Sequence, residues 1–129
     1  AVLNDHAELV ALFPGLLEAA DLIGSTQIQG RASLGGNLCN ASPAGDTIPA
    51  LIATGARAVI AGPDGRRELP VQHFVVGVGR NALAAGEFLV GLKLARPAPR
   101  TADAYLRFTP RTEMDIAVAG CGVSVTLDT

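Results

Sequence analysis

Apolar and polar positions along the chain change period several times. Leu9, Val10, Leu12 and Phe13 make a short apolar stripe at helical spacing, and Phe13, Leu16, Leu17, Ala20 and Ile23 carry it past Pro14, a residue tolerated at a first helical position. The pattern predicts two short helices over 5–13 and 14–23, or one kinked helix. Asp5 and Glu8 stand at capping-box spacing, and Gly24 suits the C-terminal end. Asp46 reads as the N-cap of a further helix over 47–54, with Pro49 in its first turn and Gly55 after it. Short strands follow. Arg57 to Ala61 and Arg66 to Leu69 flank a Pro63, Asp64, Gly65 turn and predict a hairpin.

Two later segments alternate with period two. Phe88, Val90, Leu92 and Leu94 share one face of a strand, opposite Leu89, Gly91 and Lys93. From 117 to 127 the odd positions are Ala117, Ala119, Cys121, Val123, Val125 and Leu127, and the even ones include Gly120, Gly122, Ser124 and Thr126. That alternation predicts a strand with Cys121 turned into a core, where its thiol packs as a small apolar group. Residues 96–100, with two prolines, read as a linker and domain boundary, and Tyr105 to Phe108 as one more strand. The fold class expected is α+β with mostly antiparallel strands.

Composition narrows the chemistry. With 129 residues, 49% hydrophobic and 17% charged, the chain can bury one core. A net charge of -2, no basic cluster and 4% aromatics argue against a nucleic-acid partner. No apolar run reaches the roughly 18 residues of a membrane span. Cys39 and Cys121 form no C-x2-C pair, and His6 and His73 are the only histidines, so neither a disulfide framework nor a metal site is expected. The thiols fit a cytoplasmic protein, and the first 20 residues, with acids and no Lys or Arg, do not read as a signal peptide. The chain begins inside an apolar stretch without an initiator Met, as a piece of a larger protein would.

Residues 24–46 are glycine-rich and poor in large apolar groups, so they are not expected to form core. Within them, Ser33, Leu34, Gly35, Gly36 and Asn37 admit two readings. One is a tight turn. The other is a backbone nest whose N–H groups converge on an anion, with Ser33 and Asn37 at the rim and Asp46 able to accept from a ligand hydroxyl. A second glycine pattern, Gly77 to Ala82, imitates a dinucleotide fingerprint. It reads instead as a loop: Gly86 stops any helix early, and position 99 is a proline where an acidic residue would be needed.

The run from Gln27 to Leu38 resembles the second flavin-binding loop of the molybdenum hydroxylase flavoproteins. These are the FAD-binding medium subunits of carbon monoxide dehydrogenase-like enzymes and the FAD domain of xanthine dehydrogenase. The likeness continues through Ala41 to Asp46, Gly86 to Val90 and Tyr105 to Ala117, in the family's order. It implies the second subdomain of a vanillyl-alcohol-oxidase-like, PCMH-type FAD-binding domain over 1–97, and the start of the subunit's C-terminal domain over 98–129. It further implies that Ser33, Leu34, Gly35, Gly36 and Asn37 contact the FAD pyrophosphate, that Asp46 accepts from a ribityl or neighbouring hydroxyl, and that Leu89 packs near the isoalloxazine. Ile23 takes a place where some members carry an aromatic near the flavin, and Arg107 stands where many have Lys at its edge. Arg111 and Asp115 are expected to form a structural ion pair or to serve a turn.

The function so implied is electron transfer. Electrons from a molybdopterin-binding large subunit would pass through 2Fe–2S clusters of a small subunit to FAD and then to an acceptor, in a dimer of heterotrimers. No nucleophile or general base is expected here, because the cofactor carries the chemistry. The competing readings are a docking domain with a vestigial flavin loop, and a nicotinamide-binding fold on Gly77 to Ala82, which would need a parallel sheet.

Overall fold

A computed structural model describes residues 2–111 and 115–128. The N-terminal third is helical: α1 (Ala7–Leu12), α2 (Pro14–Asp21), α3 (Thr26–Gln29), α4 (Leu34–Asn40) and α5 (Thr47–Ala53). Pro14 opens α2, as its missing N–H and fixed φ allow. The capping box does not form: His6, not Asp5, precedes α1, and it makes no side-chain cap bond. Asp46 makes none at the head of α5 either.

Seven strands follow among the described residues. β1 (Arg57–Gly62) and β2 (Gly65–Pro70) form the expected hairpin, with Gly65 at φ 109°, a conformation that glycine adopts without steric cost. β5 (Phe88–Lys93) joins the other side of β1, giving the order β2-β1-β5. The Gly77 to Ala82 pattern falls on a tight antiparallel pair, β3 (Val75–Gly77) and β4 (Arg80–Asn81). The last pair is β6 (Thr101–Phe108) with β7 (Ala119–Thr126). The 88–94 and 117–127 strands do not pair with each other, but every ladder among the described residues is antiparallel. That removes the parallel sheet a nicotinamide fold requires.

The core lies between the helices and the inner face of the three-stranded sheet. Leu16, Leu17 and Ala19 of α2, Ala50 and Leu51 of α5, and Ala58 and Ile60 of β1 meet there around Phe74. In β5 a register shift opposite Val59 and Ile60 breaks the expected alternation. Leu89 and Leu92 turn toward the core, while Phe88 and Val90 are exposed. The glycine-rich segment also contributes: Leu38 and Ala41 are buried, against the expectation that 24–46 stays outside the core.

The β6–β7 hairpin corrects the sequence reading most. Its apolar face points outward. Leu106, Phe108, Val123 and Val125 are exposed, and so is Cys121, which is paired with Leu106 and not buried. The inner face carries Asp103, Tyr105, Arg107, Gly120 and Gly122 and packs on α2 and α5. The fit there is backbone to backbone. A Cβ on Gly15 would lie 2.6 Å from the Ala104 main chain, and one on Gly122 would lie 2.6 Å from that of Pro49. Asp103 accepts from the Leu16 N–H at 3.2 Å, capping α2 from another element, and Glu18 accepts from the Tyr105 N–H at 3.1 Å.

Candidate functional site

A cavity of about 810 Å³ opens between the α2–α3 turn, the first turn of α4 and the edge strand β5. This is within the range of cofactor pockets. Ile23, Ala32, Ser33, Leu34, Gly35, Gly36 and Cys39 line one side, and Leu83 with Glu87 to Leu92 the other. Burial pushes the Cys39 thiol up from its ordinary pKa.

The segment 33–37 is neither a tight turn nor a nest but a helix start. Ser33 is the N-cap of α4, in an extended conformation (φ -137°, ψ 152°), and its Oγ accepts from the Gly36 N–H at 2.9 Å. The Asn37 N–H goes to the Ser33 carbonyl at 3.0 Å. The Leu34 and Gly35 N–H groups have no acceptor among the described residues, as expected of a first turn. Neither Gly35 nor Gly36 has positive φ; both sit close against neighbouring side chains. A Cβ on Gly35 would lie 3.2 Å from Leu89 Cδ2, and one on Gly36 would lie 3.0 Å from Ser33 Oγ. The two walls thus touch at the floor of the cavity.

The far end of α4 is closed by the β3–β4 turn. Ala41 takes φ 50°, and its carbonyl accepts from the Gly79 N–H at 3.0 Å. Asn81 Nδ2 donates to the Cys39 carbonyl at 2.8 Å. The imitation fingerprint is therefore a C-terminal cap for the helix that lines the cavity.

The opposite wall has its own brace. Arg67 donates from Nε and Nη2 to the two Glu87 carboxylate oxygens, each at 2.7 Å, and from Nη2 to the Ala82 carbonyl at 2.9 Å. Glu87 also accepts from the Ala84 N–H at 2.7 Å. Arg67 and the Ala84 amide hold the Glu87 carboxyl down at about 2, against an ordinary value of 4.5. Because the folded pKa is the lower one, this stabilisation is present above 4.5 and fades as pH falls toward 2. Urea midpoints of the parent and Glu87→Gln should therefore differ at pH 6 and converge through that acid window.

Not every expected site residue reaches this cavity. Asn37, Asp46 and Arg107 line a second, smaller pocket of about 330 Å³; Ile23 lines both. Asn37 Oδ1 accepts from Thr47 Oγ1 at 2.7 Å. Both Asp46 carboxylate oxygens are engaged: Tyr105 Oη donates to one at 2.9 Å and Arg107 Nη1 to the other at 3.2 Å. Arg107 Nη1 also donates to the Leu22 carbonyl at 3.0 Å. Burial first, then the Asp46 carboxylate, raises the Tyr105 pKa far above its ordinary value. Arg111 and Asp115 pair at 3.2 Å at the pocket's outer side, and Asp115 is held below its ordinary pKa by that bond. Sequence reasoning missed Tyr105, whose partner lies 59 positions away, and gave no role to Glu87.

A family described as the FAD binding domain in molybdopterin dehydrogenase matches residues 2–97. The chain belongs to this family. FAD is the cofactor that goes with membership. The chain is 32% identical over 129 residues to the nicotinate dehydrogenase FAD-subunit of Eubacterium barkeri, covering 98% of this chain and 44% of the relative. It is 35% identical over 113 residues to the carbon monoxide dehydrogenase medium chain of Hydrogenophaga pseudoflava, covering 88% and 39%. A solved carbon monoxide dehydrogenase from the same organism, lacking the Mo-pyranopterin moiety of its cofactor, superposes with a TM-score of 0.91 at 32% identity, over 98% of this chain and 44% of that one. The chain thus spans less than half the length of these relatives. The PCMH-type fold fragment read from sequence is the fold observed. No helix among the described residues is long and apolar enough to cross a membrane.

The cavity suits such a cofactor. Ile23, Leu34 and Leu89 offer apolar walls, and the two amides of the α4 first turn lie without acceptors in its lining. A flavin dinucleotide needs both, since its ring is apolar-faced and its diphosphate seeks N–H donors.

Proposed function

We propose that this chain is part of the FAD-binding, electron-transfer subunit of a molybdopterin-dependent dehydrogenase. The observation that carries the reading is the single cavity that collects Ser33, Leu34, Gly35, Gly36, Leu89 and Ile23. The Leu34 and Gly35 main-chain amides would hold the diphosphate, with Ser33 and Gly36 shaping the turn through the Ser33 Oγ bond, and Ile23 and Leu89 would pack against the ring. When bound, FAD supplies the redox chemistry, accepting electrons and passing them on. The chain's own residues bind it, orient it and keep one side dry.

Asp46 and Arg107 serve this site indirectly in the proposal. With its carboxylate taken by Tyr105 and Arg107, Asp46 fixes the start of α5, and Arg107 fixes the Leu22 carbonyl next to Ile23. Residues 98–129 would open the subunit's C-terminal domain. A molybdopterin-binding large subunit and a 2Fe–2S small subunit would be the partners, as a dimer of heterotrimers in the cytoplasm, with the electrons leaving for a separate acceptor.

The test is FAD content. Gly36→Val puts a branched side chain where only 3.0 Å separates a Cβ from Ser33 Oγ. In the natively expressed protein it should lower bound FAD about tenfold, a cost of roughly 1.4 kcal/mol in binding, while molybdenum in the partner subunit stays. Unchanged FAD, read from the flavin absorbance of the purified protein, would rule out this loop as the site. A colourless wild-type protein that still folds and assembles would favour a docking role instead.

A further inference from the structure

The cavity has two walls that belong to different parts of the fold, helix α4 and strand β5 with the loop before it. One continuous set of bonds joins them. Arg67 on β2 grips both Glu87 carboxylate oxygens through its Nε and Nη2 and holds the Ala82 carbonyl. Glu87 in turn holds the Ala84 N–H. Asn81 accepts from the Leu83 N–H at 3.1 Å and donates to the Cys39 carbonyl on α4. Leu83, Glu87 and Cys39 all line the cavity. The route crosses the sheet where β1 ends, and Gly62 leaves room for it: a Cβ there would lie 2.8 Å from Glu87 Cγ. A bidentate Arg–carboxylate pair with a third anchor resists displacement far better than a single point contact.

We propose that Arg67, Glu87 and Asn81 form a clamp that fixes the spacing of the cavity walls, and so act as positioning residues for the flavin. The clamp needs no contact with the ligand. It sets the width of the slot by tying the 82–87 loop to β2 on one side and to α4 on the other. As a positioning role for flavin it rests on the function proposed above; as a mechanical link it does not. Arg57 supplies a control, because it pairs with Glu68 at 3.0 Å across β1 and β2 of the same sheet without lining the cavity.

Two measurements separate the claims. In a Cys121→Ser background, Cys39 is the only thiol of these 129 residues, and its alkylation by iodoacetamide, read on the peptide that carries it by mass spectrometry, reports opening of the cavity wall. Arg67→Ala and Asn81→Ala should speed that alkylation about tenfold, the signature of local opening, Arg67→Lys should do so less, and Arg57→Ala should leave it unchanged. In the natively expressed protein, Arg67→Ala should also raise the FAD dissociation constant about tenfold and shift the flavin midpoint potential, again with no change in Arg57→Ala. Equal behaviour of Arg67→Ala and Arg57→Ala in alkylation overturns the clamp. Faster alkylation in a protein that holds no flavin upholds the clamp and overturns the flavin reading. Faster alkylation with unaltered FAD affinity and potential overturns the positioning role while the flavin site stands.

Discussion

Gly122→Ala should lower the melting temperature by about 10 °C. A Cβ at that position would lie 2.6 Å from the carbonyl carbon and oxygen of Pro49 and 2.8 Å from the Ala50 amide nitrogen. These are backbone atoms of α5, and α5 is itself held by buried Ala50 and Leu51. No side-chain rotation relieves the overlap, so the hairpin or the helix must move. Overpacking of this kind costs about 3 kcal/mol, a large part of the roughly 5–15 kcal/mol that holds a domain together. Gly91→Ala is the comparison, because a Cβ there meets nothing within 4 Å. A calorimetric scan of the two variants should separate them clearly. Equal melting temperatures would mean that β7 does not sit on α5 as described.

Asp46→Ala should cost more than removal of Asp46 and Arg107 together. Only 10% of the Asp46 side chain and 14% of the Arg107 side chain are exposed. Removal of the carboxylate leaves a guanidinium with only the Leu22 carbonyl, and it also deprives Tyr105 Oη of its acceptor. Uncompensated buried charges of this kind cost roughly 3–5 kcal/mol. In the double variant Asp46→Ala with Arg107→Met, the charge is gone and an apolar chain of similar reach fills the space. The double should therefore recover about 2 kcal/mol over the single in urea unfolding, a coupling typical of residues in direct contact. Additive losses would show that the pair is solvated and contributes little.

Much of the fold was legible in the sequence because its punctuation is chemical. Pro14, Gly24, Gly55 and the Pro63 to Gly65 turn mark boundaries through fixed φ or positive φ, and those elements stand where they were expected. Alternation alone could not tell which face of β7 has a neighbour. Period two separates the faces of a strand, and the glycines of the even face carried the missing information, since Gly120 and Gly122 mark where other groups come closest. A Cβ on Gly120 would overlap the Tyr105 hydroxyl. Helix α4 was hidden because Gly35, Gly36 and Asn37 lower helix propensity in its first turn; Ser33, a good N-cap residue, was the signal that could have found it. The cavity motif was readable as a string. The clamp was not, because Arg67 and Glu87 meet only through the β2-β1-β5 order.

The outward face of the β6–β7 hairpin bears on how the chain can be handled. Leu106, Phe108, Val123 and Val125 present branched and aromatic groups side by side, with no charged residue among the paired positions from Leu106 and Cys121 to Ala102 and Val125 on that side. Water is released when any similar surface settles on it. In dilute buffer the isolated 129-residue chain should therefore self-associate through this face as its concentration rises. Light scattering that grows with concentration, at temperatures where the helices remain intact, is the behaviour this sheet dictates.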